Sequence, residues 1–243
     1  MNNFLVTQRD FKNMNWERIP KISASFLNFL KTEQGQKRLK RIMDIYLVSL
    51  MVVLLIPLFL LIGILIKMTS RGPVFFQQKR AGFKGKVFTI LKFRTMSSAT
   101  PSADHERLIK EILGPTSDKN GNNVQSYKNQ IETHITKVGR LLRKTSLDEL
   151  PQLFNVLRGD LSLVGPRPHP LYEVENYKDW YQERFRAMPG ITGLSKVILR
   201  CTPEDYDESM RLDLEYVKNW SIGLDLKIIL KTIPLVLRMT NAY

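Results

Sequence analysis

From Ile45 to Ile66 the chain carries no charged side chain, and all but a few residues are Leu, Ile, Val, Met or Phe. A helix of about 20 such residues is what crossing a bilayer core requires. Helices of soluble domains keep one polar face, and this stretch has none. Membrane insertion therefore constrains every other assignment.

Insertion is not the same as crossing. Lys37, Arg38, Lys40 and Arg41 precede the apolar run; Lys67, Arg71, Lys79 and Arg80 follow it. A simple crossing places its basic residues on one side, whereas here each flank claims the cytoplasmic face. Pro57 sits near the middle, where it removes a backbone hydrogen bond and bends a helix. A helix–break–helix that enters and leaves by the same face satisfies both observations; a kinked spanning helix is the alternative. Asp44 is costly in lipid and is expected to pair with Arg41, one turn back, at the interface.

The remaining sequence is long enough for one catalytic-sized domain. Its 37 Lys and Arg against 23 Asp and Glu give a net charge of +14. That excess suits anionic lipid, nucleic acid or a phosphorylated substrate. Cys201 is the single cysteine, so no internal disulfide forms. His105, His134 and His169 show no metal-ligand spacing with it, and zinc is not expected. No cleavable signal peptide is expected over residues 1–36, where Phe26, Leu27, Phe29 and Leu30 can form one face of a surface helix.

Past the membrane segment, Val74–Phe76 and Val87–Ile90 read as short strands joined through Gly82-Phe83-Lys84-Gly85, a β-hairpin. Gly82 and Gly85 fit a plain turn as well as a phosphate loop. Lys79, Arg80, Lys84, Lys86, Lys92 and Arg94 crowd this region and as a group suit lipid headgroups. Lys92 and Arg94 are the better candidates for a phosphorylated substrate. Polar stretches then bracket a short helical candidate, Asp104–Leu113.

Ser146-Leu147-Asp148-Glu149-Leu150-Pro151-Gln152-Leu153 reads as a helix start. With Asp148 as N-cap, Pro151 lies in the first turn, where its missing N–H costs nothing. Ser146 as the cap of a Ser146-x-x-Glu149 capping box puts Pro151 one residue too deep. Two adjacent carboxylates then stand at the positive end of a helix dipole, beside any bound phosphate. An ionised Asp in that setting can act as a nucleophile, although a capped structural helix has the same local form. Gly165-Pro166-Arg167-Pro168 is held extended by its prolines and can offer Arg167 rigidly for bidentate phosphate binding, although a solvated turn has the same local form. Met188–Gly193 reads as a tight loop, Tyr172–Phe185 as an aromatic packing helix, and Glu204–Trp220 as a helix with mixed faces. Leu224–Leu237 alternates apolar clusters with Lys227 and Lys231, which suits a helix lying on a membrane surface or docked on the core.

Taken in order, these motifs resemble one family. Lys40-Arg41-x-x-Asp44 leads into a Pro-interrupted apolar segment. Pro73-Val74-Phe75-Phe76-Gln77-Gln78-Lys79-Arg80, Lys92-Phe93-Arg94-Thr95-Met96, the Asp148–Glu149 stretch, Leu163-Val164-Gly165-Pro166-Arg167-Pro168 and Pro189-Gly190-Ile191-Thr192-Gly193 follow. The series is similar to the bacterial sugar transferases, the monotopic polyprenyl-phosphate phosphoglycosyl transferases, in their short form. The resemblance implies a mainly α fold with a small β-hairpin (α+β), a Pro-broken re-entrant helix and amphipathic interfacial helices. It implies a variable segment over residues 1–36, the membrane helix over 37–70 and a cytoplasmic catalytic domain over 71–243, at the bacterial inner membrane.

It implies transfer of a phospho-sugar from a UDP-sugar to undecaprenyl phosphate with release of UMP, the first membrane step of surface-glycan synthesis. By the same match Asp148 is the nucleophile and Glu149 assists, with Mg²⁺ held by Asp148 and Glu149. Arg167, Lys92, Arg200 and Arg94 are the substrate-binding candidates. Two departures stand out. After Gly193-Leu194 the family usually has Trp-Gln-Val and then Gly-Arg-Asn. Here the chain reads Ser195-Lys196-Val197-Ile198-Leu199-Arg200-Cys201, so only the Arg keeps its place. Ile56 stands where Ser often precedes the helix-breaking Pro.

Other classes fit less of the chain. A non-catalytic, membrane-anchored protein binding anionic lipid or nucleic acid accounts for the charge. Its basic residues, however, come in punctuated loops rather than an aromatic-interleaved stripe, so nucleic acid is not an expected partner. A soluble phosphatase using Asp148 leaves the apolar run unexplained. No Walker loop, dinucleotide fingerprint or nucleophile elbow is present. The identity of the sugar and the oligomeric state, a homodimer being one option, are not encoded in these motifs.

Overall fold

The structure, a computed structural model, describes residues 32–97, 134–199 and 206–237. Helix α1 (Glu33–Thr69) precedes a hairpin of β1 (Phe75–Ala81) and β2 (Val87–Phe93). Then come α2 (Lys137–Lys144), a 3-10 turn Leu147–Glu149, α3 (Gln152–Arg158) and β3 (Ser162–Val164). Helix α4 (Leu171–Val174), a 3-10 stretch Asp179–Arg186, β4 (Gly190–Thr192), α5 (Leu194–Leu199), α6 (Tyr206–Lys218) and α7 (Ile222–Leu237) complete the order. The expected α+β character, mainly helical with a small antiparallel hairpin, is present. The face at Phe26–Leu30, the Asp104–Leu113 helix and Arg200 lie outside the described residues.

The break expected at Pro57 does not end the helix: α1 remains helical on both sides of it. A proline costs one backbone bond, and the bonds above and below it persist. Val48, Val52 and Leu55 pack with Leu153, Val156 and Leu161. Phe59, Ile62 and Ile66 pack with Phe93 and Leu142. These positions advance by alternating fours and threes, so one face of the helix serves the domain along both halves. The other face leaves Val53, Leu54, Leu60, Leu61 and Ile64 more than half exposed. An apolar surface of that extent is suited to lipid rather than water.

Polar side chains fasten both ends of this segment. Arg41 donates from Nη1 to the Val156 carbonyl (2.6 Å) and from Nη2 to the Leu157 carbonyl (3.0 Å). These carbonyls belong to the last turn of α3, where a cation is favourable. Asp44 accepts from Ser162 Oγ (2.7 Å) and from the Leu163 N–H (3.3 Å). The anticipated Arg41–Asp44 pair therefore gives way to separate contacts with the domain, which satisfy more buried groups than a mutual pair does. Lys40 pairs with Asp225 at 2.5 Å and also donates to the Val164 carbonyl. At the far end, Arg94 Nη2 donates to the carbonyl and hydroxyl oxygens of Ser70, each at 2.8 Å.

The hairpin forms with Phe75 opposite Phe93 and Ala81 opposite Val87. Its strands are longer than the apolar runs alone indicate, because Gln77–Arg80 pair as well. Lys84 and Gly85 take positive φ, so Gly82–Gly85 is a turn. Helix α3 is locked to β2 by Asn155, which is fully buried. Its Oδ1 accepts from the Leu91 N–H (3.0 Å), and its Nδ2 donates to the Thr89 carbonyl (2.7 Å) and to Asp160 (3.1 Å).

Met188–Gly193 is not simply a loop. Gly190–Thr192 is β4 and pairs in parallel with β3. The pairing depends on close backbone approach: a Cβ at Gly165 would collide with the Met188 carbonyl, and one at Gly190 with the Gly165 N–H. The single helix expected over Tyr172–Phe185 divides into α4 and the 3-10 stretch. Tyr177, Tyr181 and His169 still pack there edge to face.

Candidate active site

The acidic pair is positioned by a stepped helix start. Leu150 donates to the Leu147 carbonyl in a 3-10 turn, and regular helix resumes only at Gln152. Pro151 lacks the N–H that an α-turn would offer Leu147, which explains the step. Asp148 is thus not the N-cap: it lies inside the turn, with Ser146 in the left-handed conformation before it and Pro151 at the cap position of α3. Ser146 makes no side-chain capping bond, so no capping box forms.

Glu149 faces a cleft lined also by Arg80, Lys92, Arg167 and Lys196, with the backbone of Gly190–Gly193 along one wall. Lys92 Nζ sits 3.0 Å from Glu149 Oε1, and Lys196 Nζ sits 2.6 Å from Glu149 Oε2. Burial alone raises a carboxyl pKa; here Lys196, Lys92 and Arg167 outweigh it and hold Glu149 well below the usual carboxylate range. Asp148 goes the other way. Burial pushes it up, the charge of Glu149 adds to that, and Lys92 only partly opposes it. Two neighbouring carboxylates are thereby set apart, one firmly ionised and one more basic, as in sites that give paired carboxylates different duties.

Arg167 is presented by its loop with both backbone polar groups fixed. Its N–H donates to Asp213 Oδ2 (3.3 Å), and its carbonyl accepts from Arg184 Nη2. Asp213 also accepts from Ser195 Oγ at 2.7 Å, so one buried carboxylate holds the Arg167 loop and the start of α5 together. Arg80 donates to the Pro168 carbonyl at 2.9 Å, from the opposite side of that loop.

The structure brings Glu149, Lys92 and Arg167 together in the cleft; Asp148 does not line it but feels the charges of Lys92, Glu149 and Lys196. Arg94 is engaged with Ser70 at the end of α1 and does not line the cleft. Two cleft residues lie outside the candidates that the motifs mark. Arg80, expected with its basic neighbours to face lipid headgroups, reaches the cleft while Lys79, Lys84 and Lys86 remain exposed. In β1 it shares a face with half-buried Gln78, while exposed Lys79 between them points the other way; period-2 alternation in the strand is the signal that separates Arg80 from Lys79. Lys196 had only its place just after the Gly190–Gly193 segment to mark it.

Among the described residues, no group of three or more His, Cys, Asp or Glu side chains gathers to cage a metal ion. The expected pair, Asp148 and Glu149, offers two carboxylates, and both oxygens of Glu149 are engaged by Lys92 and Lys196; a Mg²⁺ held there would draw most of its ligands from substrate oxygens and water.

Comparison with known proteins identifies the family. The bacterial sugar transferase family matches residues 35–239. A UDP-glucose:undecaprenyl-phosphate glucose-1-phosphate transferase of Caulobacter vibrioides is 40% identical over 211 residues, covering 84% of this chain and 72% of that protein. The exopolysaccharide production protein ExoY of Rhizobium meliloti is 38% identical, over 91% of this chain and 97% of its own length. An undecaprenyl-phosphate galactose phosphotransferase of Salmonella typhimurium is 41% identical over 87% of this chain, which spans only 43% of that longer protein. With its apolar helix, acidic pair and phosphate-ready cations all inside the matched region, the chain belongs to the bacterial sugar transferase family.

Proposed function

We propose that this protein transfers a sugar 1-phosphate from a UDP-sugar to polyprenyl phosphate, with Asp148 as the nucleophile. One observation carries the reading: Glu149, the neighbour of Asp148, is bracketed by Lys92 and Lys196 in a cleft that also presents Arg167. Relatives named for glucose and galactose phosphate transfer to undecaprenyl phosphate support it.

In the first half, an Asp148 carboxylate oxygen forms a bond to the β-phosphorus. The bond from that phosphorus to the oxygen bridging it to the α-phosphate breaks, and UMP leaves with the electron pair. In the second half, an oxygen of polyprenyl phosphate attacks the same phosphorus, the bond to Asp148 breaks, and the carboxylate is restored. Phosphoryl transfer of this kind needs alignment and charge neutralisation above all. Lys92 and Arg167 orient the donor phosphates, and Glu149 fixes the ammonium groups around them. Mg²⁺, when held by Asp148 and Glu149, would neutralise the diphosphate further.

The membrane segment is read as re-entrant, with the catalytic domain on the cytoplasmic face. Support comes from its two ends: Arg41 and Asp44 at one, and Ser70 at the other, bond to the same domain. Basic flanks at both ends favour the cytoplasmic side. This arrangement sets the cleft at the interface, where a lipid phosphate is presented.

The test is the full chain in detergent with Mg²⁺, a panel of UDP-sugars and undecaprenyl phosphate, with UMP release as readout. Asp148→Asn is expected to fold and to lose turnover, together with the label that a donor carrying a radioactive sugar leaves on the wild-type polypeptide. Undiminished UMP release by that variant would refute the nucleophile assignment.

A further inference from the structure

Lys196 brackets Glu149 in the reaction described above, but no contact of its own with the substrate has been assigned to it. It projects from α5 into the cleft, and its ammonium binds Glu149 Oε2 at 2.6 Å and the Ile191 carbonyl at 3.3 Å. An ammonium has three N–H donors, so these partners leave one directed elsewhere. Lys92 holds the other oxygen of Glu149 from the hairpin side. Glu149 is therefore a bridge that keeps two ammonium groups, from two separate parts of the chain, beside the residue adjacent to it, Asp148.

The local charge points the same way. Arg80, Lys92, Arg167 and Lys196 line the cleft with one carboxylate, Glu149. That leaves about three positive charges in surplus, which suits a sugar-nucleotide diphosphate. Without Lys196 the surplus falls to about two.

We propose that Lys196 is a donor-binding residue that contacts the β-phosphate of the nucleotide sugar. The inference rests on the donor reading above and extends it to a residue outside the matched motifs. A β-phosphorus within bonding reach of Asp148 lies next to Glu149, and so next to the ammonium that Glu149 holds. The α-phosphate and uridine lie further from that point. Lys196 therefore distinguishes a diphosphate from a monophosphate.

Binding is measured by calorimetry on the full chain in detergent, without acceptor, using UDP and UMP as probes. Lys196→Gln is expected to weaken UDP by about tenfold or more, the scale of one charge-assisted hydrogen bond. UMP affinity is expected to change less than about twofold, and Lys196→Arg to recover most of the UDP loss. Equal losses for UDP and UMP, or a loss that Arg does not recover, overturn the assignment, as does unchanged UDP affinity. Wild-type protein that binds neither nucleotide overturns the donor reading itself, which separates that failure from a failure of Lys196 alone.

Discussion

Arg184 and Asp213 meet at 2.5 Å with only 3% and 1% of their side chains exposed, and neither lines the cleft. Asp213 spends its remaining acceptor capacity on Ser195 Oγ and the Arg167 N–H. Arg184 donates also to Tyr177 Oη at 2.6 Å. The pair is thus a hidden bracket that joins the loop carrying Arg167 to the helix carrying Lys196.

Removing one member strands the other. Asp213→Ala is expected to cost about 3–5 kcal/mol, the range for breaking a buried ion pair. Chemical unfolding in detergent measures it. The double variant Arg184→Met/Asp213→Leu removes the stranded charge but leaves Ser195 Oγ and the Arg167 N–H without their acceptor. It should therefore recover only part of the loss.

Asn155→Leu keeps the volume of a fully buried side chain but abandons the Leu91 N–H and the Thr89 carbonyl. Each orphaned group costs about 1–3 kcal/mol. The same unfolding measurement should show a loss of about 2–6 kcal/mol. The start of α3 should also loosen, read as faster hydrogen exchange over Leu147–Asn155.

His169 supplies a pH signature. Burial pulls its pKa down to about 3, the Arg184 charge adds to that, and Glu173 opposes it. The unfolded chain takes up a proton near 6.5, the ordinary value for a histidine, well before the folded one does. Stability should therefore fall as pH drops from that value toward the folded pKa, with this residue adding a slope of up to about 1.4 kcal/mol per pH unit. His169→Gln should flatten that part of the profile.

Glu149→Gln keeps the shape of the bridge between Lys92 and Lys196 but removes its charge. A fall in kcat of about 100-fold or more is expected, comparable to losing a preorganised electrostatic contact. The acid limb should move as well. Asp148 must be ionised to attack, so UMP release should fall as pH drops through its raised pKa. Without the neighbouring negative charge, that limb should shift to lower pH.

Single cysteines at Lys37→Cys and Arg71→Cys, in a Cys201→Ser background, test the membrane arrangement. In sealed inverted vesicles both should react with an impermeant maleimide to similar extents. Reaction at one position only would exclude the re-entrant reading.

Much of this was legible before any coordinates. An uncharged run from Ile45 to Ile66 admits few fates, and strand-forming Val and Phe around a Gly-marked turn locate a hairpin. Local patterns also marked Asp148, Glu149, Lys92 and Arg167, because the family resemblance runs through each of them. What local patterns did not carry was pairing across distance. Arg41 and Asp44 are one turn apart, so adjacency suggested a mutual bond; the carbonyls of α3 and the Ser162 hydroxyl, more than a hundred residues away, bind them instead. The role of Pro151 was mistaken by a single turn, since 3-10 and α starts differ by one hydrogen-bond step. Lys196 met Glu149 only through the parallel pairing of β3 with β4, and nothing local to Ser195-Lys196-Val197 announces that.

The contact of Arg41 with the end of α3 also says how this enzyme can be divided. A tether between a membrane and a catalyst is dispensable for folding. Here the lipid-embedded helix supplies the cation that closes α3, the acceptor that holds Ser162, and Val48, Ile62 and Ile66 to two separate cores. A fragment beginning at residue 71 would lack a structural member, not a leash. Shortening the chain to make it water-soluble will forfeit the fold along with the anchor.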